Sequence, residues 1–409
     1  MPKLLQINIT ANWGSHGKIA ENIGTLVIEN GWESHIAYGR WYNESKSHLY
    51  HIGNMTDEYI HGIASRIFDN HGLMSVGATK KLIDHIQEVN PDIIHLHNIH
   101  GYYLNYPLLF EYLSQCGKPV VWTLHDCWAF TGHCAHYMFA NCEKWKSECN
   151  NCPLLSNYPT SVLFDRSKKN YLQKKRSFLS VDNLTLVPVS KWLEGELHQS
   201  FFKTKQIHLI QNGINTQRFA PDKQAESVIS KYNIPQNKKL ILGVASNWYR
   251  KGLDDFIALR DLLPNDYHIV MVGLSKRDKK KIPSSITGIE RTENIDELVA
   301  LYSASDVFFN PTWEDNFPST NLEAMACGTP VICYHTGGCP ETITPETGLV
   351  IDRGDLLSAA TAIKQVCILG KEHYESNCRK EITSKFAQNM MLTKYMILYQ
   401  SLLNITSVH

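Results

Sequence analysis

The sequence predicts an α/β protein of two doubly wound domains facing a central cleft. Three observations carry this. From residue 3, short β-rich runs alternate with helical stretches, the pattern of a parallel sheet covered on both faces. After Asn212-Gly213 the chain turns polar through Pro221, Asp222 and Lys223, and then the alternation begins again. Finally, 409 residues exceed the usual extent of one hydrophobic core, and 43% hydrophobic residues suffice for two.

The first domain is expected over 1–213. Its strands are Leu4–Thr10, Ser34–Tyr38, Asp92–His97, Pro119–His125, Leu184–Ser190 and Ile207–Asn212. Lys18–Glu29, Thr79–Val89, Pro107–Gln115 and Lys191–Phe201 carry helical spacing between them, with stops such as Gly31 and Pro91. The second domain, 214–388, repeats the pattern with strands at Leu240–Ala245, His268–Val272, Val307–Asn310 and Val331–Tyr334. A last helix within 389–409 follows no strand and is expected to return to the first domain. Ligands of such folds sit beyond the carboxyl ends of the strands, which directs attention to the residues after each strand.

Bulk properties exclude several classes. Basic and acidic residues balance at 40 each, so no overall field draws in nucleic acid. The start lacks the unbroken apolar run of a secretory signal, and no stretch has the length and apolarity of a membrane span. The 11 cysteines are odd in number, and Cys327, Cys333 and Cys367 stand singly in apolar surroundings, as reduced thiols do. The expected location is cytoplasmic.

The strand Val307–Asn310 runs into Pro311-Thr312-Trp313-Glu314-Asp315-Asn316-Phe317-Pro318-Ser319-Thr320-Asn321-Leu322-Glu323. Pro318 suits a helix's first turn, so the free N–H groups of Ser319 and Thr320 face the strand end and favour an anion such as a diphosphate. Glu323, one turn in, is placed to accept from sugar hydroxyls, with Asp315 in the preceding loop. A capped surface helix with nearby acids is the plain alternative. After the strand Leu240–Ala245, Ser246-Asn247-Trp248-Tyr249-Arg250-Lys251-Gly252 sets a cationic pair before a glycine, which reads as a diphosphate clamp or as a solvated basic pair.

Residues 312–341, ending in Thr336-Gly337-Gly338-Cys339-Pro340-Glu341, resemble the signature of family 4 glycosyltransferases, the retaining class with two Rossmann-like domains (GT-B). The resemblance extends over nearly the whole chain. It implies transfer of a sugar from a nucleotide-diphosphate sugar, UDP- or GDP-linked, to a saccharide. In that family the second acid of an acid-x7-acid pair holds the ribose and the first contacts the donor sugar, which implies these roles for Glu323 and Asp315. The commoner first acid is Glu; here Asp315 takes the position and Glu314 lies one residue off register. Asn316, Phe317, Ser319 and Thr320 complete the implied donor contacts. Lys251 matches the family's diphosphate lysine, while Ser246 stands near its usual arginine, leaving Arg250 to substitute. The loop Asn12–Lys18, with Gly14 and Gly17, resembles the family's glycine-containing loop facing diphosphate and acceptor, and a plain tight turn fits it equally. His125 matches a donor-contacting histidine; His95, His97 and His100 are weaker candidates. The implied chemistry is a retaining front-face transfer in which the departing diphosphate helps deprotonate the acceptor, although two acids and a histidine also suit an inverting general base. With no Asp-x-Asp in the chain, transfer is expected to need no metal.

Cys134, Cys142, Cys149 and Cys152, with His133 and His136 alongside, form a cysteine-rich insertion near 127–160. Their spacing suits a structural zinc ion, with two disulfides or a reduced loop as alternatives. Similar insertions occur in transferases resembling those of colanic-acid and O-antigen assembly, which implies a lipid-linked oligosaccharide acceptor. Arg166–Arg176 reads as a basic amphipathic helix, able to rest on an anionic membrane or to be a solvated face; the run Lys276–Lys281 reads as an exposed loop. A nicotinamide-dependent oxidoreductase is the nearest rival, weakened by the absence of Gly-x-Gly-x-x-Gly after any strand. A nucleic-acid module and an epimerase stand further off.

Overall fold

The computed structural model describes residues 1–222 and 225–406; Lys223, in the polar stretch noted above, lies outside them, as do 407–409. The chain divides into two compact units, Met1–Ile210 with the described residues from Leu392, and Gln211–Met391.

In the first unit the order is β1 (Lys3–Asn8), α1 (Gly14–Glu29), β2 (Glu33–Tyr38), β3 (His48–His51), α2 (Met55–Phe68), α3 (Val76–Val89), β4 (Ile93–Leu96), α4 (Tyr106–Gln115), β5 (Val120–Leu124), α5 (Ser167–Leu179), β6 (Leu184–Pro188), α6 (Lys191–Gln199) and β7 (Gln206–Ile207). Among the described residues its strands form one sheet ordered β3-β2-β1-β4-β5-β6-β7, parallel throughout. β4 and β5 are buried along their whole length, which explains their near-continuous apolar sequence. The order reverses between β1 and β4, and that reversal opens a crevice at their carboxyl ends.

The second unit runs α7 (Glu226–Lys231), β8 (Lys239–Val244), α8 (Leu253–Leu262), β9 (Tyr267–Val272), α9 (Lys276–Lys279), β10 (Ile286–Ile289), α10 (Ile295–Ala304), β11 (Val307–Asn310), α11 (Ser319–Ala326), β12 (Val331–Tyr334), β13 (Gly348–Ile351), α12 (Leu356–Leu369), α13 (Lys371–Lys385) and the start of α14 (Gln388–Thr406). Its parallel sheet is ordered β10-β9-β8-β11-β12-β13, so the switch lies between β8 and β11. From Leu392 onward α14 belongs to the first unit. There Tyr395 OH lies 2.9 Å from Thr123 Oγ1 and Tyr399 OH 2.6 Å from His95 Nδ1.

Several expected elements shift for physical reasons. The first helix starts at Gly14 rather than Lys18, because Asn12 and Gly14 take positive φ (48° and 68°) and turn the chain early. The strand expected over Ile207–Asn212 ends at Ile207; beyond it β6 presents Pro188, which has no N–H to return. β3 and α2 were not expected, although Asn54 caps α2 by accepting from the N–H groups of Thr56 and Asp57. Pro318 is the N-cap of α11 in extended conformation, not its first helical residue. Lys276–Lys279 forms a helical turn where a loop was expected.

Candidate active site

Both conspicuous motifs of the second unit flank its switch point: 246–252 follows β8, and 311–318 follows β11. Gly252 begins α8 at φ +82°, and a Cβ there would lie 2.5 Å from the Pro311 carbonyl oxygen. The glycine thus lets the two loops approach. They are stitched at Arg250 O, which accepts from Trp313 N–H at 2.9 Å and from Thr312 Oγ1 at 3.4 Å. The result is a cationic pair held against an acidic pair. Lys251 Nζ donates to Asp315 Oδ2 and lies 3.2 Å from Glu314 O. Arg250 Nη1 stands 3.4 Å from Glu314 Oε2, an oxygen whose side chain is 1% exposed. Glu314, read from sequence as merely off register, is the buried anchor of Arg250, while the partly exposed Asp315 faces Lys251.

Asp315 Oδ1 also accepts from Phe317 N–H at 3.2 Å, closing a tight turn. The Phe317 ring packs against Phe386, with centroids 5.8 Å apart, so its side chain serves the core. Asn316 is buried. Ser319 and Thr320 form the first turn of α11, and no side chain caps it; Asn321 N–H turns back to Pro318 O at 3.2 Å, so the Ser319 and Thr320 N–H groups are the ones suited to an anion. Glu323 sits one turn further in. Tyr302 OH donates to its Oε2 at 2.9 Å; burial first, then the nearby Glu323 carboxylate, holds the Tyr302 hydroxyl protonated. Asn321 ties this helix to its surroundings, accepting from Asn310 Nδ2 at 2.8 Å and donating to Thr342 Oγ1 at 2.9 Å. The turn Pro340–Thr342 is thereby fixed beside α11. Tyr302 and Asn310 were invisible as site supports in the sequence, since a tyrosine on a helix and an asparagine ending a strand carry no motif.

In the first unit, Gly17 packs so closely that an added Cβ would lie 2.5 Å from Thr10 Oγ1, whereas Gly14 meets nothing and owes its identity to φ +68°. His125 follows β5. Its Nε2 lies 3.2 Å from His97 Nδ1, and His97 Nε2 lies 3.0 Å from Gln6 Oε1. Burial, then the neighbouring His97 and His16, lowers the His125 pKa far below the ordinary imidazole value, so the ring is neutral. His16, in the loop named above but not singled out from sequence, faces His125 with ring centroids 5.9 Å apart. Its buried Nδ1 has no hydrogen-bond partner among the described residues. Asp126 is bonded to His100 Nε2 at 2.7 Å and to Trp128 N–H at 2.9 Å. Burial opposes its charge, but His100 outweighs that and holds it ionised. His95 is different in kind: wholly buried between Thr123 and Tyr399, it is structural.

Two family models match the chain, Glycosyltransferase Family 4 over residues 18–218 and Glycosyl transferases group 1 over residues 224–384. The chain belongs to these glycosyltransferases. Among its relatives, the putative colanic acid biosynthesis glycosyl transferase WcaC of Escherichia coli K12 is 25% identical, over 98% of this chain and 100% of that protein. Among solved structures, a sucrose-phosphate synthase from Thermosynechococcus elongatus superposes with a TM-score of 0.74 at 18% identity, covering 99% of this chain and 100% of that one. Anabaena Alr3699/HepE in complex with UDP gives 0.67 at 13% identity, covering 98% and 100%. These likenesses show the GT-B fold.

The glycosyltransferase carries its four spaced cysteines in an irregular segment between β5 and α5, built of short 3-10 turns. Cys134, Cys142, Cys149 and Cys152 line one cavity with His133, Tyr137 and Trp145. A Cys134 hydrogen bond draws the Cys152 thiol below its ordinary value, while Cys149 accepts from Gly132 N–H at 3.2 Å. All are free thiols. As the side chains stand, no three His, Cys, Asp or Glu groups among the described residues meet around one ion. The basic helix α5 does not turn all its cations outward. Lys174 points in, donating to Trp128 O at 2.6 Å and Thr131 O at 3.1 Å, and burial lowers its pKa to about 7. No described helix is long and apolar enough to cross a membrane.

Proposed function

We propose that this glycosyltransferase moves a sugar from a UDP- or GDP-linked donor to a lipid-linked saccharide, with retention at the anomeric carbon, in surface polysaccharide assembly. The observation that carries the reading is the switch point of the second unit, where Arg250 and Lys251 are held against Glu314 and Asp315 in the loop that leads into the uncapped start of α11. A diphosphate seated there would replace Asp315 as the partner of Lys251, freeing that carboxylate for the donor sugar. Glu323, oriented by Tyr302, is placed for the ribose. Charge-assisted hydrogen bonds from Arg250 and Lys251 would contribute about 1.5–3 kcal/mol each and neutralise the leaving group without a divalent ion. His125, neutral and braced by His97, is assigned to the donor sugar; Gly14 and Gly17, at the start of α1 after β1, are assigned to the diphosphate or acceptor.

The full-length relative named for colanic acid biosynthesis supports the polysaccharide role, and the structural relative in complex with UDP supports a nucleotide donor. Nothing supports the oxidoreductase alternative: the chain lacks the glycine fingerprint and both matching families are glycosyltransferases. The test is transfer from labelled UDP- and GDP-sugars into a lipid extract, followed by NMR of the new linkage. Retained anomeric configuration is expected, with turnover unchanged after Mg²⁺ and Mn²⁺ are chelated. An inverted product would reject front-face transfer, and loss of turnover on chelation would reject the metal-free clamp.

We propose further that the four cysteines hold one structural zinc ion. The fit rests on donor type, four sulfurs lining one cavity. Buried Lys174 beside them would offset the negative charge of a four-thiolate centre. Metal analysis of protein grown without added zinc should find one ion per chain; far less than one, or two disulfides by mass, rejects the site.

A further inference from the structure

Helix α2 is amphipathic the wrong way round. It buries His61, Gly62 and Ser65 against the first unit. The inward His61 is satisfied at both ring nitrogens, with Nδ1 2.8 Å from Ser75 Oγ and Nε2 accepting from Gly72 N–H at 3.0 Å. Outward it shows Met55, Tyr59 and Ile63, spaced four residues apart on one face and 85%, 71% and 40% exposed, with Arg66 on the same face. A solvated helix normally presents the opposite pattern.

The loop before α5 extends this surface. Val162 N–H donates to Arg66 O at 2.7 Å, pinning the loop to the last turn of α2. The Phe164 ring stacks on Phe68 with centroids 5.7 Å apart. Val162, Leu163 and Phe164 are all more than half exposed, and three such residues in succession are seldom left to water. Next to them α5 is docked on the end of α2, Arg166 N–H donating to Asp69 Oδ2 at 2.9 Å and Asn170 Nδ2 to Asp69 O at 2.9 Å. Its outer side carries Lys168, Lys169, Lys175 and Arg176 around the half-exposed Leu172; of these, Lys168 is paired with Glu148 at 2.8 Å.

We propose that this face docks on an anionic lipid bilayer, with Met55, Tyr59, Ile63 and the 162–164 loop entering the interfacial layer and the α2–α5 cations meeting lipid phosphates. An apolar surface joined to a basic one is what a charged bilayer accepts. A second copy of the chain would instead bring the same cations toward one another. The proposal rests on the lipid-linked acceptor reading only for its use, and binding is measured without turnover.

The test is co-sedimentation of the full chain with vesicles of phosphatidylcholine alone or mixed with phosphatidylglycerol. Expected is binding to the mixed vesicles that weakens with salt, at least tenfold weaker binding for a Leu163→Asp/Phe164→Asp variant, and a similar loss for Lys169→Glu/Lys175→Glu/Arg176→Glu. Unchanged thermal midpoints and unchanged transfer to a water-soluble acceptor show that the variants fold. Equal binding to both vesicle types, no binding, or variants that bind as the parent does overturn the proposal. So does a dimer in solution that Leu163→Asp/Phe164→Asp dissolves.

Discussion

At the scale of single residues, the proposed site rests on charge pairing around the second switch point. Lys251→Ala and Glu323→Ala should each lower kcat/KM by a factor of about 10²–10³, the loss expected when one preorganised electrostatic partner goes. Glu314→Gln should act through Arg250, since the carboxylate it removes is the buried anchor of that guanidinium. Its signature is a raised KM for donor with a smaller change in kcat; near-normal kinetics in all three variants would refute the site. Lys251 was singled out from the segment 246–252, and Asp315 and Glu323 from the spacing within 312–341; the fold brings Lys251 against Asp315. Glu314 was readable only as a neighbour of Asp315, since burial of one of two adjacent acids depends on how two loops meet. Tyr302 and His16 had no signal, as each acts across a gap in sequence that only the fold closes.

Among the elements, loop and helix ends carry the precision. Gly252→Ala would place a Cβ 2.5 Å from the Pro311 carbonyl oxygen at positive φ. Left-handed strain alone costs about 1–2 kcal/mol, and relieving the clash would part the β8 and β11 loops. Lower thermal stability together with weaker nucleotide binding is the expected result in melting and calorimetry; an unchanged protein would show that the close approach does not matter. Regular strands and helices were readable wherever apolar period and punctuation agreed, as in β4, β5 and α4. The errors fell at edges. β7 is cut short by the proline at the end of its neighbour, and α2 escapes notice because its apolar residues face outward rather than marking a core.

For the whole molecule, the repeated strand–helix alternation foretold two parallel sheets, while the order of strands within each, and so the position of the switch points, became known only from the fold. The first unit also gathers many neutral histidines. Burial chiefly lowers His16 to about 4 and His61 and His95 to about 3, with His71, His97 and His125 shifted the same way. A histidine whose folded pKa lies below its unfolded value near 6.5 binds its proton in the unfolded chain first. Stability therefore falls as pH drops from 6.5 toward 4, by about 1 kcal/mol per pH unit for each such group. Asp126, held below the usual carboxylate range, adds its own loss only at still lower pH. Urea unfolding of the intact chain at pH 7 and pH 5 should show a large drop; equal midpoints would contradict the neutral, buried state of these rings.

The measurement that tests the central claim most directly is calorimetric titration of the chain and its Lys251→Ala variant with UDP, GDP, ADP and NAD. The account predicts that UDP or GDP binds the parent and that the variant binds it at least tenfold more weakly, whereas binding of NAD alone, or nucleotide binding indifferent to Lys251, would contradict it.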